Sequence, residues 1–432
     1  MSDIPKLDLF LDVNMPHLEE LLHRLGKDLG MREGTQFNAL RVLLCTMFIQ
    51  GQRQVRVSRR KQSLGSKKHN PLDIKYNSVN GALDKLESSG YIIQVVGSHK
   101  EGKETTMEPT DKLMQWFEDA GWSDEGIDKR VGDYVTLRKA KKKDGKPVYI
   151  DYEGTKYSKW LSEQIKQYDE LIGACKIELW HSNGELDRVF KKFTIQRRFI
   201  RHKSIYSNME FAFGGRMPGP WTNLSSELRK NITINGEATV ELDRNASHLN
   251  AMYQVITGVP YPHKDDPYKI SVNGVVVPRH IAKNFSSFMQ GSKSPRGTAQ
   301  SVINHYKYRA FEVKKPKDAD IKKYAEYVEF KKKTKPTDIA KAILDKHPKV
   351  ANYYNKGKAY GDFISCWESD IVFEVVMELT KRGIPCLTVY DSFIVPLQYK
   401  DLVDSMKDIT PYVDRRFIPK VLPKVDNYNS NQ

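Results

Sequence analysis

The sequence predicts an α+β protein built from more than one domain. Short β-rich runs, such as residues 91–96, 238–242 and 386–395, alternate with stretches in which apolar residues recur at helical spacing. The chain has 432 residues, which is more than one ordinary hydrophobic core accommodates. With 39% apolar and 29% charged residues, it has the composition of a folded globular protein. We therefore expect two or three domains.

The chain is strongly basic, with 70 Lys and Arg against 54 Asp and Glu and a net charge of +16. Such an excess favours a polyanionic partner through counterion release, and nucleic acid is the first candidate. A basic protein that is merely well solvated is the alternative that charge alone leaves open.

The cysteines and the N-terminus predict a cytoplasmic protein. The four cysteines lie far apart, without zinc-site spacing, and are interpreted as reduced thiols. They are Cys45, Cys175, Cys366 and Cys386. The N-terminus is acidic and lacks the pattern of a signal peptide. The longest apolar stretch, residues 39–49, is interrupted by Arg41 and is too short to cross a bilayer, so we expect no membrane partner.

Residues 36–125 are predicted to run helix, basic turn, helix, β-ribbon, helix. In "YNSVNGALDKLESSG", Ser78 can cap the helix and Gly90 can end it. Its apolar positions are Val79, Leu83 and Leu86. The run 91–96 and the following "TTMEPTDKLMQWF" suit a two-stranded wing that returns into a helix. This order resembles a winged helix-turn-helix DNA-binding domain, with the basic stretch "RQVRVSRRK" just upstream. The candidate DNA-contacting residues are Lys75, Asn77, Asn80 and Lys85; docking to a protein is the alternative.

Residues 126–205 are predicted to be a helical connector or thumb-like arm. An amphipathic helix follows a Lys-rich turn, and core packing accounts for its stripe. The stripe comprises Trp160, Leu161, Ile165, Tyr168, Leu171 and Ile172. Next, "QRRFIRHKSIY" interleaves cations with Phe199 and Tyr206, which suits a nucleic-acid groove, although alternating strand residues would look similar. The candidate contacts are Arg197, Arg198 and Arg201.

Two aspartates occupy similar local settings. "ATVELDRNASHLNAMY" reads as a strand, residues 238–242, that reaches Asp243 and turns into a helix. "TVYDSFIVP" reads as a hairpin with Asp391 at its tip, where a turn aspartate bonded to backbone N–H groups is the structural alternative. If the two strands pair, both carboxylates can face one site. Two such acids can bind Mg²⁺ for a phosphoryl displacement.

A basic helix lies between the two aspartates in the sequence. In "PRHIAKNFSSFMQGSKS", Arg279 and Lys283 stand four residues apart and therefore project from one helix face. Paired cations can clamp a triphosphate and neutralise charge that develops on its oxygens. A solvated basic face is the alternative for such a pair taken alone.

The order of these motifs resembles one known architecture. "GGRMPGPWTNLSSELR", a strand ending in Asp243, the Arg-x-x-x-Lys helix and "YDSF" are similar to the palm and fingers of family A DNA polymerases and phage-type single-subunit RNA polymerases. The resemblance covers about residues 211–396. It implies a right-hand polymerase-like palm, an antiparallel sheet with helices, and helical fingers. The winged helix-turn-helix domain and the helical connector precede them.

The resemblance assigns a role to each motif residue. Asp243 and Asp391 match the two catalytic aspartates, which bind metal. Arg279 and Lys283 match the triphosphate-binding pair of the fingers helix. The resemblance also implies that Lys283 is a catalytic residue. The implied cofactor is Mg²⁺, as two ions, with Mn²⁺ able to substitute.

The flanking segments also match. Arg216 and Arg229 correspond to arginines of the Gly-Arg segment and would contact template or primer phosphates. The helix "GDFISCWESDIVFEVVMELTKRG" corresponds to the palm helix before the second aspartate. Its apolar stripe is interpreted as core. The stripe comprises Phe363, Trp367, Ile371 and Val375.

The sequence departs from these families where they recognise the sugar. Tyr390 replaces the histidine that usually precedes the second aspartate. Gln290 stands about where they carry a tyrosine that checks the incoming sugar. His248 stands where the DNA enzymes carry a glutamate that blocks a ribose 2′-OH. A bulky His248 favours deoxynucleotides, whereas "YDSFIVP" is closer to the RNA enzymes, so the choice of sugar stays open.

The resemblance therefore predicts a template-directed nucleotidyltransferase that works on DNA with nucleoside triphosphates. A compact DNA polymerase is favoured over a primase or small RNA polymerase, and a non-catalytic winged-helix replication initiator is the rival. A nuclease is a third possibility. The economy of the chain suggests a phage, plasmid or other mobile replicon in a bacterial cytoplasm. The predicted domains are an N-terminal helical extension (1–35), the winged helix (36–125), the connector (126–205) and the palm and fingers (206–432).

Overall fold

The computed structural model describes residues 4–59, 66–98, 104–140, 148–202, 210–262, 265–313 and 316–407. It confirms an α+β protein in which antiparallel strand pairs predominate. The tip of the predicted wing (99–103), most of the Lys-rich turn (141–147) and Tyr206 lie outside the described residues.

Helices and short strands are interspersed along the described chain. The helices are α1 Pro16–Asp28, α2 Thr35–Gln50, α3 Tyr76–Ser88, α4 Asp111–Asp119, α5 Lys156–Gly173, α6 Ser226–Arg229, α7 Ser247–Thr257, α8 Arg279–Gly291, α9 Pro295–Lys307, α10 Asp318–Lys333, α11 Pro336–Lys346, α12 Lys358–Lys381 and α13 Lys400–Met406. The strands are β1 Leu11–Val13, β2 Val55–Val57, β3 Ile92–Val95, β4 Thr105–Pro109, β5 Ile127–Lys129, β6 Val135–Lys139, β7 Val148–Ile150, β8 Ile177–Trp180, β9 Leu186–Phe190, β10 Arg197–Arg201, β11 Gly214–Arg216, β12 Ile232–Ile234, β13 Glu237–Asp243, β14 Ser271–Val272, β15 Val275–Val276, β16 Leu387–Val389 and β17 Ser392–Pro396.

The chain divides into two compact units, neither of which is one continuous segment. The first unit contains residues 1–201, 216–243 and 376–404. The second contains residues 202–215, 244–375 and 405–432. The four domain limits drawn from the sequence stay a prediction.

The N-terminal part of the first unit has its own hydrophobic core. Buried apolar side chains taken from between Leu9 and Ile127 form one cluster. Helix α1 contributes Leu18, Leu22 and Leu25 to it. Strands β2, β4 and β3 form a three-stranded antiparallel sheet in that order. The predicted succession of helix, β-ribbon and helix is confirmed by α3, β3, β4 and α4.

One detail of α3 differs from the sequence prediction. The helix begins at Tyr76, after an extended Lys75, so Ser78 lies inside the first turn and does not cap it. The Ser78 hydroxyl instead donates to the Thr35 hydroxyl, 2.8 Å away. Gly90 follows the helix with φ = 75°, as the predicted stop requires.

The connector helix α5 is confirmed, but its apolar stripe is narrower than predicted. Leu161, Ile165, Tyr168 and Ile172 are buried. Trp160 is 52% exposed and stacks on Tyr157. Successive side chains on a helix are rotated by about 100° from one another. Trp160, one residue before the buried Leu161, therefore points away from the buried stripe.

The first unit also contains a six-stranded antiparallel sheet, ordered β16-β17-β13-β12-β8-β9. Strand β17 lies between β16 and β13, and all of its residues are buried. Phe393, Ile394 and Val395 are fully buried because their apolar side chains fill both faces of an inner strand. This strand therefore gives the adjoining turn a rigid base.

The second unit is mainly helical. Helices α8, α9, α10 and α11 pack on one another, and β14 and β15 form a small hairpin. The predicted stripe of α12 is buried, which confirms its interpretation as core. Its members are Phe363, Trp367, Ile371 and Val375.

Candidate active site

The two predicted strands pair, and this pairing places Asp243 opposite the residue that follows Asp391. Strands β13 and β17 are antiparallel, with Asp243 directly opposite Ser392. Asp391 immediately precedes Ser392, in the two-residue turn that joins β16 to β17. We call Asp243 together with the hairpin Leu387–Pro396 the acid hairpin. Its register confirms that residues far apart in sequence share one end of the sheet.

Local chemistry fixes the geometry of the acid hairpin. The Ser392 hydroxyl donates to Oδ1 of Asp243. Tyr390 adopts a left-handed backbone conformation, with φ = 57°, which is unusual for a non-glycine residue and is found in tight hairpin turns. The Tyr390 ring is half exposed, and the Arg216 guanidinium lies over it, 5.0 Å from the ring centroid. The turn is thus held at an exposed tip by a cation–π contact.

The side chains of the acid hairpin fit a Mg²⁺ ion that shares its coordination with a substrate. Asp243 is exposed and Asp391 is partly exposed, so carboxylate oxygens are accessible. Mg²⁺ is usually bound by one or two carboxylates together with waters and substrate phosphates. Within the described part of the chain, no group of three His, Cys, Asp or Glu side chains forms a metal cage. A pair of carboxylates that leaves positions for phosphate oxygens is compatible with both observations.

Arg229 lies close to the acid hairpin but is engaged within the protein. Its guanidinium donates to both carboxylate oxygens of Glu241, at 2.9 and 2.7 Å, and to the Leu224 carbonyl at 2.6 Å. Glu241 and Asp243 project from the same face of β13 because they are two residues apart. Arg229 therefore has a structural role on this strand, and its predicted contact with phosphate stays untested.

The cation pair lies on a helix, as the spacing predicts. Arg279 opens α8 and Lys283 follows one turn later, and both side chains are exposed. Arg279 donates to Asp266 at 2.6 Å, and its guanidinium lies 5.4 Å from the ring centroid of Tyr268. Burial acts to raise the pKa of Asp266, but the Tyr268 N–H and Arg279 outweigh it and hold the pKa below its ordinary value. Asp266 thus stays charged and orients Arg279.

The two residues predicted to check the sugar are hydrogen-bonded to each other. His248 Nδ1 lies 2.8 Å from Oε1 of Gln290, although the two residues come from α7 and α8. His248 Nε2 lies 3.0 Å from Oε2 of Glu368 on α12. We call His248, Gln290 and Glu368 the histidine group. Gln290 and Glu368 are buried, whereas His248 is partly exposed.

Sequence reasoning missed Glu368, although a signal was present. Glu368 lies four residues from both Ile364 and Val372, which are buried, so it is a carboxylate on the apolar face of α12. Burying a carboxylate is costly unless a partner binds it. An acid at such a position therefore indicates a specific partner, here His248. Asp266 and Ser392 were missed because neither stands out from ordinary turn residues.

The candidate DNA-contacting residues of α3 have different surroundings. Asn77 is exposed, and Lys75 is exposed and pairs with Asp73 at 2.6 Å. Asn80 is partly buried. Lys85 donates to the carbonyls of Leu29 and Gly30, beyond the C-terminus of α1, so its amino group is occupied. Of these residues, Lys75 and Asn77 remain the best placed for an external partner.

The arginines at 197–201 belong to a strand, which was the alternative interpretation. Strand β10 runs parallel to β6. Arg197 is only 1% exposed and its guanidinium lies 5.1 Å from the Phe199 ring centroid, so burial on the inner face of β10 prevents its predicted contact with nucleic acid. Arg198 and Arg201 are partly exposed and keep that candidate role.

Comparisons with protein-family models, with curated proteins and with solved structures found no match. None of the four cysteines, all of which lie within the described residues, forms a disulfide. Among the described residues, no helix combines the length and apolar character needed to cross a bilayer. The features that indicate a function are therefore the acid hairpin, the α8 cations and the histidine group.

Proposed function

We propose that the chain is a template-directed nucleotidyltransferase with a polymerase-like palm and fingers. Asp243 and Asp391 would bind Mg²⁺ at the acid hairpin. Lys283 and Arg279 would hold the triphosphate of the incoming nucleotide, and His248 would contact its sugar. The substrates would be a DNA template, a primer end or first nucleotide, and nucleoside triphosphates.

The pairing of β13 with β17 carries this proposal. Two separate sequence motifs each predict one of the acids, and the antiparallel register puts Asp243 opposite Ser392, next to Asp391. A turn aspartate with a purely structural role does not require a second carboxylate at the same end of the sheet. A cation shared by two such carboxylates offsets the repulsion between them. The arrangement therefore favours a metal-binding function.

The histidine group also supports the proposal. His248 and Gln290 stand at about the positions where the resembling families check the sugar, although the residue types differ, and they are hydrogen-bonded to each other at 2.8 Å. Residues that recognise one small group must be held rigidly within contact of it. The bonds from Gln290 and Glu368 fix the imidazole on both of its nitrogens. With both ring nitrogens occupied, the fixed imidazole would distinguish a 2′-hydroxyl from a 2′-hydrogen by its bulk.

The proposed reaction is an in-line displacement at phosphorus. The 3′-hydroxyl of the primer or first nucleotide loses its proton to water as its oxygen forms a bond to the α-phosphorus, the bond from that phosphorus to the bridging oxygen breaks, and pyrophosphate leaves. Mg²⁺ bound at the aspartates would polarise phosphate oxygens and stabilise the entering and leaving oxygens. Lys283 and Arg279 would neutralise negative charge that grows on the leaving phosphates. The winged-helix region, with Lys75 and Asn77 exposed, would bind duplex DNA.

Primer extension tests this function directly. A labelled primer on a DNA template is incubated with Mg²⁺ and either dNTPs or rNTPs, and primer-free reactions run in parallel. We expect extension that disappears in Asp243→Asn, and the productive sugar distinguishes a DNA polymerase from a primase or RNA polymerase. Loss of the template strand instead of extension would indicate a nuclease. Duplex binding with no incorporation under any condition would support a non-catalytic initiator.

A further inference from the structure

The second unit exposes a cluster of large apolar side chains where α9 ends. A π-helical turn, Tyr308–Glu312, follows α9 directly. Tyr308 is 53% exposed and Phe311 is 60% exposed, and Ile321, 40% exposed, lies in the first turn of α10. We call Tyr308, Phe311 and Ile321 the π-turn patch. Exposed apolar groups of this size on neighbouring segments indicate a binding surface more often than scattered single residues do.

The base of the patch is well packed, so its rings are held outward. Phe311 contacts Tyr324 edge to face, with ring centroids 5.1 Å apart. Arg309 pairs with Asp320 at 3.1 Å, which joins the π-turn to α10. Ala310, between the exposed residues, is buried. π-helical turns are rare and often occur at functional sites, since they displace side chains from the regular helix register.

The surroundings of the patch are basic. Residues 307–323 contain seven Lys or Arg against three Asp or Glu, a net charge of +4. Lys307, Lys317 and Lys322 are exposed and make no ion pair with any residue that the structure describes. The ion pair between Arg309 and Asp320 removes one cation and one acid, so the net charge stays +4. The patch therefore combines exposed rings with uncompensated cations.

We propose that the π-turn patch binds single-stranded nucleic acid. Cations attract the phosphate backbone, and exposed aromatic rings stack on unpaired bases with little dependence on sequence. Charge complementarity favours a polyanion over an apolar protein surface, because a protein partner would have to bury Lys307, Lys317 and Lys322. The site goes beyond the proposed function, since stacking requires neither metal nor nucleoside triphosphate.

Fluorescence anisotropy with labelled oligothymidylate, in the absence of metal and triphosphate, tests the proposal. We expect Tyr308→Ser combined with Phe311→Ser to weaken binding about tenfold or more, because base–ring stacking is lost. The matched control is Trp160→Ser, which removes an equally exposed ring elsewhere. Thermal unfolding of each variant shows whether it keeps its fold.

Lys322→Gln should lower the slope of log affinity against log salt by about 0.7, with exposed Lys349→Gln as its control.

The outcomes separate this proposal from the polymerase proposal. Weaker binding to oligothymidylate with unchanged binding to a fully paired hairpin supports stacking, whether or not the protein extends primers. Equal losses on both ligands would overturn it, since paired bases are not available to the rings. Unchanged affinity in the double variant, or the same loss in Trp160→Ser, would also overturn it.

Discussion

The acid hairpin and the histidine group are held by different means. In the acid hairpin, the backbone of a buried strand supplies the rigidity, and Asp243 and Asp391 reach the surface. In the histidine group, the side chains hold one another, and Gln290 and Glu368 are themselves buried. In the proposed function, the groups that bind metal and phosphate are accessible on a rigid strand pair, whereas the group that contacts the sugar is held by an internal network.

The largest expected effect comes from the acid hairpin. Asp391→Asn should reduce nucleotide incorporation about a thousandfold or more, because metal-assisted charge stabilisation contributes several kcal/mol. The fold should persist, since the side chain is not part of the buried strand. Extension kinetics and circular dichroism measure the two quantities. Glu237→Gln, an exposed acid at the other end of β13, is the matched control and should leave the rate unchanged. Normal extension by Asp391→Asn would contradict the assignment.

The next effect concerns the α8 cations. Lys283→Gln should lower kcat/KM for the nucleotide about a hundredfold, as the loss of an electrostatic stabiliser does in other enzymes. Arg279→Gln should cost less, because Asp266 already compensates the charge of Arg279. Steady-state kinetics with varied triphosphate measures both. Lys349→Gln, an exposed lysine of the same unit, serves as control. A larger loss in Arg279→Gln than in Lys283→Gln would refute this ranking.

A smaller effect should come from Glu368→Gln, which keeps the shape of the side chain and removes its charge. The imidazole of His248 would lose its carboxylate partner, so the ratio of kcat/KM between the preferred and the rejected sugar should fall about tenfold. Parallel extension with dNTPs and rNTPs gives this ratio. Ser287→Ala, an exposed change on α8, is the control. An unaltered ratio together with normal stability would separate Glu368 from sugar recognition.

The smallest effect tests whether Arg229 is structural. Arg229→Ala should lower the free energy of unfolding by about 2 kcal/mol, because Glu241 loses a charged, two-bond partner. Chemical denaturation measures the change. Lys230→Ala removes the neighbouring exposed cation and should cost less than about 0.5 kcal/mol. If Arg229→Ala leaves stability intact but weakens template binding, the result would support the predicted contact between Arg229 and phosphate instead.

The sequence predicted the structure correctly wherever a single apolar periodicity or a single residue spacing determined an element. Helix α8 followed from its apolar pattern and from the helical spacing of Arg279 and Lys283, and the strands β13 and β17 followed from their own patterns. The pairing of these strands was only a condition, which the structure fulfils. The sequence was less informative for polar residues in buried places. Burial of Arg197 and the role of Glu368 depend on tertiary partners from distant segments, which no local pattern contains. Trp160 illustrates the same limit, because a one-residue shift of the stripe decides whether the ring is buried.

The order in which the chain is synthesised determines when the inner strand β17 can pair with β13. Strand β17 spans Ser392–Pro396, whereas its neighbour β13 spans Glu237–Asp243, so β13 leaves the ribosome long before its partner exists. Segments made first can fold early, and the core from Leu9 to Ile127 is synthesised before β13. The acid hairpin can assemble only after β17 has also been synthesised. A product that stops before Leu387 would carry Asp243 and the basic helix α8 but no second aspartate, so interrupted synthesis would leave binding surfaces without the proposed catalytic pair.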